Sequence, residues 1–453
     1  MFRRKLYSKM LAWKHEEQGS MALLVEGARR VGKSTLVKEF ARNEYDSYLL
    51  IDFSVAPQEI KDTFLRFSAD FDSFFLYLQA FYGVRLEPRR SLIIFDEVQL
   101  FPKARELVKH LVADGRYDYI ETGSLISIKR NVENILIPSE EDRVNLDPFD
   151  FEEFLWALGE DMLADAIRDA FQKKTQLPGA LHQKAMHLWR EYLLVGGMPQ
   201  PVAAYVDGKD LGRADKEKRR ILNVYRDDIV KFSGGDTGKV SAIFDEIPGQ
   251  LSKHEKKFIL SSIDSNARTR DYSSAFFWLG DARITNNCFN CTDPTVGLAL
   301  NQENARLKCY MADTGLLVTH AFADRKATPD QVYKDILFGK LEVNEGMLVE
   351  NAVAQQLHAL GYRLFYYSRP SDDPRGRMEI DFLITGEYEP AAMKLRVCPI
   401  EVKSGKGRYA TASLDRFKSS FGKRVGTQYI LHRKELHVDG DRVLLPLYMA
   451  FCL

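Results

Sequence analysis

One short segment near the start of the chain determines its architecture: Gly27-Ala28-Arg29-Arg30-Val31-Gly32-Lys33-Ser34-Thr35. It fits the pattern G-x-x-x-x-G-K-[ST] and lies between an apolar run at 22–26, which predicts a buried strand, and a run at 36–40, which predicts a helix. Glycines let the backbone curl so that its N–H groups point at phosphate oxygens, and the start of the helix adds positive potential. The segment therefore predicts a nucleoside triphosphate site, in which Lys33 reaches the phosphates and Ser34 ligates Mg²⁺. The alternative is an ordinary glycine turn with a solvated lysine.

A second candidate catalytic segment is an apolar run that ends in two acids, Ser91-Leu-Ile-Ile-Phe-Asp96-Glu97. A fully buried parallel strand is continuously apolar, and its carboxyl end opens onto the ligand crevice. We expect Asp96 to organise the Mg²⁺ shell and Glu97 to polarise the attacking water. The alternative is a pair of acids that caps the next helix.

Three more runs, at 47–53, 117–124 and 143–146, complete a set of five predicted strands with the acidic strand third. Right-handed crossovers would make this a parallel, doubly wound sheet, as in the additional-strand class of P-loop ATPases to which AAA-type enzymes belong. The fourth run ends in small polar residues, where Thr122 or Ser124 would sense the γ-phosphate. Ser124 is our candidate catalytic residue there, and a simple turn is the alternative.

Composition limits the classes of function. The chain has 453 residues, and Lys+Arg and Asp+Glu both number 64, so nucleic-acid binding would depend on local patches and not on a global field. No run of the sequence approaches the length of a membrane span. Five cysteines without a complete zinc-type spacing favour a reducing compartment, and we expect a cytoplasmic protein.

The middle of the chain reads as helical. Asp150, followed by Glu153, predicts a helix N-cap, and residues 150–232 predict a helical lid. Three helix candidates at 240–247, 258–263 and 275–279 precede a predicted β-ribbon, which together fit a winged helix. Residues 252–270 carry five Lys/Arg against two acids. The third helix would enter a DNA major groove, or the module would instead dock a protein.

The last part of the chain carries a second set of candidate site residues. Glu350 lies on a predicted helix, and Asp381, Glu401 and Lys403 on predicted strands, in the spacing D-x(19)-E-x-K. Strand alternation places Glu401 and Lys403 on one face. Carboxylates bind Mg²⁺ through hard oxygens, and the lysine would position or activate water. The pattern predicts a metal-dependent nuclease fold, and both an active and an inert site remain open.

Several segments together resemble the prokaryotic AAA-type ATPases that carry a C-terminal domain of unknown function. They are Arg3-Arg-Lys-Leu-Tyr7, Gly27–Ser34, Ile93-Ile-Phe-Asp-Glu-Val-Gln99, Glu121-Thr-Gly-Ser124, Asp147-Pro-Phe-Asp-Phe-Glu-Glu-Phe-Leu155 and Val195-Gly-Gly-Met-Pro199. The resemblance covers nearly the whole chain and implies an α/β protein with four domains. These are an AAA-type ATPase core (1–149), the helical lid (150–232), a winged helix (233–325) and a PD-(D/E)xK nuclease-like domain (326–453).

This resemblance implies a protein that binds and hydrolyses ATP with Mg²⁺ and couples nucleotide state to DNA binding or processing, with metal-dependent nuclease activity as an open addition. DNA is the expected partner. A homo-oligomer and a protein partner of the winged helix are further options, and a membrane partner is not expected. The competing hypothesis is a slow, ATP-dependent regulatory switch that binds a protein partner and has an inactive nuclease-like domain.

Overall fold

The structure is a computed structural model of the 453-residue chain. It describes residues 1–125, 137–253, 257–263, 268–338, 345–371, 377–386, 395–405 and 411–453. These residues form two compact units, one of Met1–Asp147 with Asp281–Arg283, and one of Pro148–Gly280 with Ile284–Leu453.

The first unit is built on a five-stranded sheet. Its strands are β1 Ala22–Glu26, β2 Ser47–Asp52, β3 Ser91–Asp96, β4 Asp118–Gly123 and β5 Glu141–Asn145. They pair in the order β2-β3-β4-β1-β5, and every pair is parallel. The predicted parallel sheet, with the acid-ending strand third along the chain, is confirmed.

Helices cover both faces of this sheet. Since successive strand residues point to opposite sides, alternate side chains contact different helices. The helices are α1 Lys5–Glu17, α2 Lys33–Glu44, α3 Gln58–Arg66, α4 Phe71–Tyr82 and α5 Pro102–Asp114, with a 3₁₀ turn at Val98–Leu100. Leu23 and Val25 pack with α1 and α2, whereas Leu24 and Phe95 pack with α3, α4 and α5. The doubly wound arrangement places the carboxyl ends of the strands at one edge, where a ligand crevice is expected.

A buried polar cluster joins β5 to α5. The Arg105 guanidinium donates to both carboxylate oxygens of Glu141, at 2.8 and 2.7 Å. Burial and the neighbouring Glu141 carboxylate raise the pKa of Glu121 on β4 well above its usual range. The cluster fixes the edge strand that leads into Leu146, whose N–H donates to the Glu26 carbonyl at 2.8 Å.

The second unit begins with helices. They are α6 Phe151–Ala157, α7 Asp161–Lys173, α8 Gly179–Val195, α9 Pro199–Val206, α10 Leu211–Phe232, α11 Thr237–Leu251, α12 Thr269–Asp281, α13 Thr314–His320, α14 Asp330–Leu337, α15 Glu345–Ala359 and α16 Ala412–Phe421. The predicted N-cap is present, since Asp150 Oδ1 accepts a hydrogen bond from the Glu153 N–H at 2.9 Å. The stretch 150–232 is helical as expected, and its role as a lid stays a prediction.

An eight-stranded mixed sheet completes the second unit. Its strands are β6 Thr285–Cys291, β7 Gln302–Met311, β8 Phe365–Arg369, β9 Met378–Thr385, β10 Val397–Val402, β11 Gln428–His432, β12 His437–Asp439 and β13 Arg442–Pro446. The order is β12-β13-β11-β10-β9-β8-β6-β7. The β6–β7 ribbon expected for a winged helix thus shares a sheet with the strands expected for a nuclease-like domain. The boundary between 325 and 326 stays a prediction.

One predicted helix is wrong in the part that the structure describes. Residues 257–263 contain only a 3₁₀ turn, Leu260–Ser262, where a helix was expected. The Phe258 N–H donates to the Leu307 carbonyl at 2.9 Å, and the Gln250 side chain binds the Ile259 N–H at 3.1 Å. These two hydrogen bonds tie the segment to β7 and α11.

One segment of the family resemblance, Val195–Pro199, contacts the buried acid Asp313 in the second unit. The Gly197 N–H donates to Asp313 Oδ2 at 2.5 Å, and Asp313 Oδ1 accepts from the Leu316 N–H at 2.8 Å. Gly196 has a φ of 79°, and a Cβ there would lie 2.2 Å from Asp313 Oδ1. Gly196 is thus required by a close approach to a buried acid, whereas a Cβ at Gly197 would lie 2.1 Å from the Phe149 carbonyl oxygen.

Among the described residues, no helix is long and apolar enough to cross a membrane.

Candidate nucleotide site and C-terminal acidic cluster

The glycine-rich loop connects the end of β1 to the start of α2, as the sequence predicted. Arg30 has a φ of 67° and Gly32 a φ of 99°, both in the left-handed region. Glycine adopts this conformation without steric cost, and an exposed arginine tolerates it within a turn. Val31 between them is fully buried and anchors the loop to the core beneath. Of the other predicted loop residues, Ala28 is buried and Thr35 is exposed at the start of α2.

Gly27→Ala is expected to deform this loop. A Cβ at Gly27 would lie 2.4 Å from the Leu146 carbonyl oxygen, and that atom belongs to backbone and cannot rotate away. We expect lower ATP affinity by calorimetry and a lower melting temperature. The control is Gly179→Ala, because a Cβ there meets nothing within 4 Å. Equal ATP affinity in both variants would contradict this account of the loop.

The Lys33 ammonium is held inside the loop. The side chain is only 5% exposed, and Nζ donates to the carbonyl oxygens of Gly27 at 2.9 Å and Ala28 at 3.0 Å. A cation placed among loop amides and the start of a helix is suited to phosphate oxygens. Lys33 therefore lies where the motif predicted a phosphate contact.

Asp96 gathers two hydroxyl groups at the carboxyl end of β3. Ser34 Oγ donates to Asp96 Oδ1 at 2.7 Å, and Thr122 Oγ1 donates to the same oxygen. Asp96 is 3% exposed. Carboxylate and hydroxyl oxygens are the protein ligands that Mg²⁺ accepts, so Ser34 and Asp96 fit the metal of a Mg–ATP complex.

Glu97 follows Asp96 in an unusual backbone conformation. Its φ of 55° lies in the left-handed region, which is uncommon for glutamate and recurs at functional sites. Its N–H donates to Thr122 Oγ1 at 3.5 Å, and its carboxylate accepts from Gln99 Nε2. The Glu97 carboxylate is thus held by Gln99, whereas the Asp96 carboxylate is held by Ser34 and Thr122. The structure brings Lys33, Ser34 and Asp96 to the same end of the sheet.

The fourth strand supplies Thr122, one of the two sensor candidates. The other, Ser124, is buried, and its Oγ has no hydrogen-bond partner among the residues that the structure describes. The catalytic role of Ser124 stays a prediction. The hydrogen bond from Thr122 to Asp96 places Thr122 at the candidate nucleotide site. From the sequence, Thr122 and Ser124 were equal candidates for the sensor, and Ser124 was the one selected.

The C-terminal acids surround a buried lysine that the sequence analysis missed. Lys308, on β7, is 1% exposed. Its Nζ lies 3.3 Å from Glu350 Oε1, 3.1 Å from Glu379 Oε1 and 3.9 Å from Asp381 Oδ1. Burial alone would lower the pKa of Lys308, but the three carboxylates outweigh it and raise that pKa well above its ordinary value. Lys308 is therefore a permanent cation among these acids.

The four residues predicted from the sequence have partners other than Lys308. Lys403 Nζ lies 2.7 Å from Glu401 Oε2, which confirms that the two side chains share a face. Burial raises the pKa of Glu401 to about 7, and the Lys403 ammonium opposes that shift. Asp381 Oδ2 accepts from the Val402 N–H at 2.8 Å, and the Tyr310 hydroxyl donates to Glu350.

This cluster does not fit a divalent metal in the way the sequence predicted. The Lys308 ammonium contacts two of the carboxylates and lies near a third, so it takes the place that a metal cation would need. Among the described residues, no group of three or more His, Cys, Asp or Glu side chains is placed to hold a metal ion. We therefore derive no metal-dependent step from Glu350, Asp381, Glu401 and Lys403.

Part of this cluster was visible in the sequence. Glu379 is two residues before Asp381, so strand alternation alone places both on one face. Lys308 gave no such signal, because it reaches the acids only through pairing of the β6–β7 ribbon with β8.

Comparison with protein families matches three parts of the chain. Residues 19–155 match the AAA domain, 186–327 a domain of unknown function (DUF8612) and 345–449 a domain of unknown function (DUF4143). The chain thus contains a P-loop domain of the AAA ATPase type. Each match covers less than half of the chain.

The solved structures that the comparison matched share little sequence with this chain. A Walker-type ATPase of Pyrococcus abyssi has 16% identity, with 71% of this chain and 96% of that chain covered and a TM-score of 0.40. A STAND protein with a tetratricopeptide repeat sensor from Pyrococcus horikoshii has 12% identity, coverage of 77% and 47%, and a TM-score of 0.26. Drosophila ORC bound to DNA has 12% identity, coverage of 70% and 94%, and a TM-score of 0.25. The search of curated proteins found no match.

Proposed function

We propose that this protein hydrolyses ATP with Mg²⁺ and couples its nucleotide state to DNA binding. The observation that carries the first part is the placement of Lys33 in the loop beside the Ser34–Asp96–Thr122 hydrogen bonds. These are the phosphate-binding and metal-binding groups of a P-loop enzyme, on the strand ends where such a site belongs.

Each residue has a distinct task in this proposal. Loop amides and Lys33 bind the phosphates, and Ser34 and Asp96 hold Mg²⁺. When bound, Mg²⁺ neutralises charge on the phosphate oxygens. Glu97 orients the attacking water and takes its proton, and Gln99 holds the Glu97 carboxylate in place. Thr122 reports on the phosphate through its hydrogen bond to Asp96.

Glu97→Gln is expected to lower kcat about 10²–10⁴-fold, since the amide keeps the shape of the side chain but cannot accept the proton. ATP affinity should be retained, because Lys33 and Ser34 are unchanged. The measurement is phosphate release at saturating ATP together with binding of a fluorescent ATP analogue. The matched control is Glu106→Gln, a partly exposed acid paired with Lys103 on α5. Wild-type turnover in Glu97→Gln would contradict the role of Glu97.

A second candidate function follows from Lys308. Because the Lys308 ammonium already lies among the C-terminal acids, the second unit suits a binding role without strand cleavage. A regulatory switch with slow hydrolysis and a protein partner would also have a second unit that binds and does not cleave. The two functions separate in one assay, since DNA should raise the ATPase rate of a DNA-coupled enzyme and leave that of such a switch unchanged.

A further inference from the structure

A pocket opens in the second unit directly beside the acidic cluster. Its lining includes three basic residues, Lys257, Arg306 and Arg377, together with Ser368, Tyr366 and Glu379. Lys257 and Arg377 are exposed, and Arg306 is held 3.4 Å from Glu303 by an ion pair. The pocket therefore combines several positive charges with a hydroxyl donor in one concave site.

The acid in this lining, Glu379, is paired with a buried cation, while three basic residues line the same pocket. Glu379 Oε1 lies 3.1 Å from the buried Lys308 ammonium, which also lies 5.0 Å from the centre of the Tyr366 ring. Lys308 does not line the pocket, but it pairs from behind with the one acid named in the lining. Coulomb attraction across the partly buried site favours an anionic ligand over a metal cation.

A buried hydroxyl gives an independent sign of a ligand. Tyr366 is 1% exposed, and its Oη has no hydrogen-bond partner among the residues described. A buried polar group without a partner costs free energy, and a ligand that accepts its hydrogen bond removes that cost. Phosphate oxygens accept hydrogen bonds from hydroxyl, lysine and arginine groups alike.

We propose that this pocket binds a backbone phosphate of DNA without a divalent metal, through Lys257, Arg306, Arg377 and the Tyr366 hydroxyl. The inference rests on the proposed coupling to DNA and assigns the DNA-binding site to this pocket. The shared chemistry is that of a phosphate group, which a DNA strand or a free phosphate can supply. DNA is favoured because several basic groups line one open pocket, as expected where a strand passes through.

The test is fluorescence anisotropy of a labelled DNA duplex with the full-length protein in EDTA, over a series of salt concentrations. Arg306→Ala and Arg377→Ala should each weaken binding and reduce the slope of log affinity against log salt by about 0.9, the value for one lost phosphate contact. The control is Arg213→Ala, an exposed arginine on α10 paired with Asp207. Equal salt slopes in all four proteins would overturn the assignment of the pocket.

Tyr366→Phe removes the hydroxyl alone and should weaken DNA binding several-fold. Tyr119→Phe is the matched control, since Tyr119 on β4 is also buried with an unpartnered hydroxyl but lies in the first unit. Displacement of DNA by equimolar inorganic phosphate would identify a free-phosphate site and overturn the assignment to DNA. Loss of wild-type binding in EDTA would overturn metal independence. Failure of the proposed hydrolysis would appear instead in the phosphate-release assay, which does not depend on this pocket.

Discussion

Lys33→Ala is expected to lower kcat for ATP hydrolysis about 10²–10³-fold, as removal of a charge-stabilising donor in a transition state does. Lys33 Nζ already lies in the loop, at 2.9 Å from the Gly27 carbonyl and 3.0 Å from the Ala28 carbonyl. Phosphate oxygens would replace these carbonyls as its partners. The measurement is steady-state phosphate release with Mg²⁺ and saturating ATP.

The matched control for this prediction is Lys38→Ala. Lys38 lies on the same helix, α2, and is partly exposed, so its loss leaves the loop intact. Circular dichroism should show the same helix content in both variants. Equal turnover by Lys33→Ala and the wild type would remove Lys33 from the site and leave the loop as an ordinary glycine turn.

Lys308→Met is expected to reduce the free energy of unfolding by about 3–5 kcal/mol, because it leaves buried carboxylates without their cation. Methionine keeps most of the side-chain volume, so lost packing contributes little. Denaturant unfolding of the full chain measures the effect. Adding Glu350→Gln should recover part of the loss, since it removes one of the stranded negative charges.

Lys173→Met is the control for the buried lysine. Lys173 pairs with Asp169 at 2.7 Å, but its side chain is 65% exposed, so its loss should cost less than about 1 kcal/mol. A Lys308→Met protein as stable as Lys173→Met would show that Lys308 does not neutralise the acidic cluster.

The first unit was largely predictable because its signals are local. The glycine loop and the apolar strand before it form one continuous stretch of sequence. The acids at the end of β3 directly follow an apolar run of their own. Parallel strands with right-handed crossovers then leave few possible arrangements. Boundaries differed by a few residues, as in β5, which spans Glu141–Asn145 where 143–146 was expected.

The second unit was less predictable because its contacts are distant in sequence. In place of the helix expected at 258–263 the structure has a 3₁₀ turn, in a segment that hydrogen bonds to Leu307 and Gln250 tie to other elements. Lys308 on β7 reaches Glu350 on α15 across 42 residues, and only the packing of that helix on the sheet brings them together. A pattern such as D-x(19)-E-x-K identifies carboxylates on strands, but it does not reveal that a lysine from another strand lies near Asp381 and pairs with neighbouring acids.

The most direct test of the central claim is ATP hydrolysis by the purified wild-type protein, measured in Mg²⁺ and in EDTA, with and without duplex DNA. The account predicts phosphate release that requires Mg²⁺ and rises when DNA is added. Release that is absent in Mg²⁺ under every condition would contradict the assignment of Lys33, Ser34, Asp96 and Glu97 as a hydrolytic site.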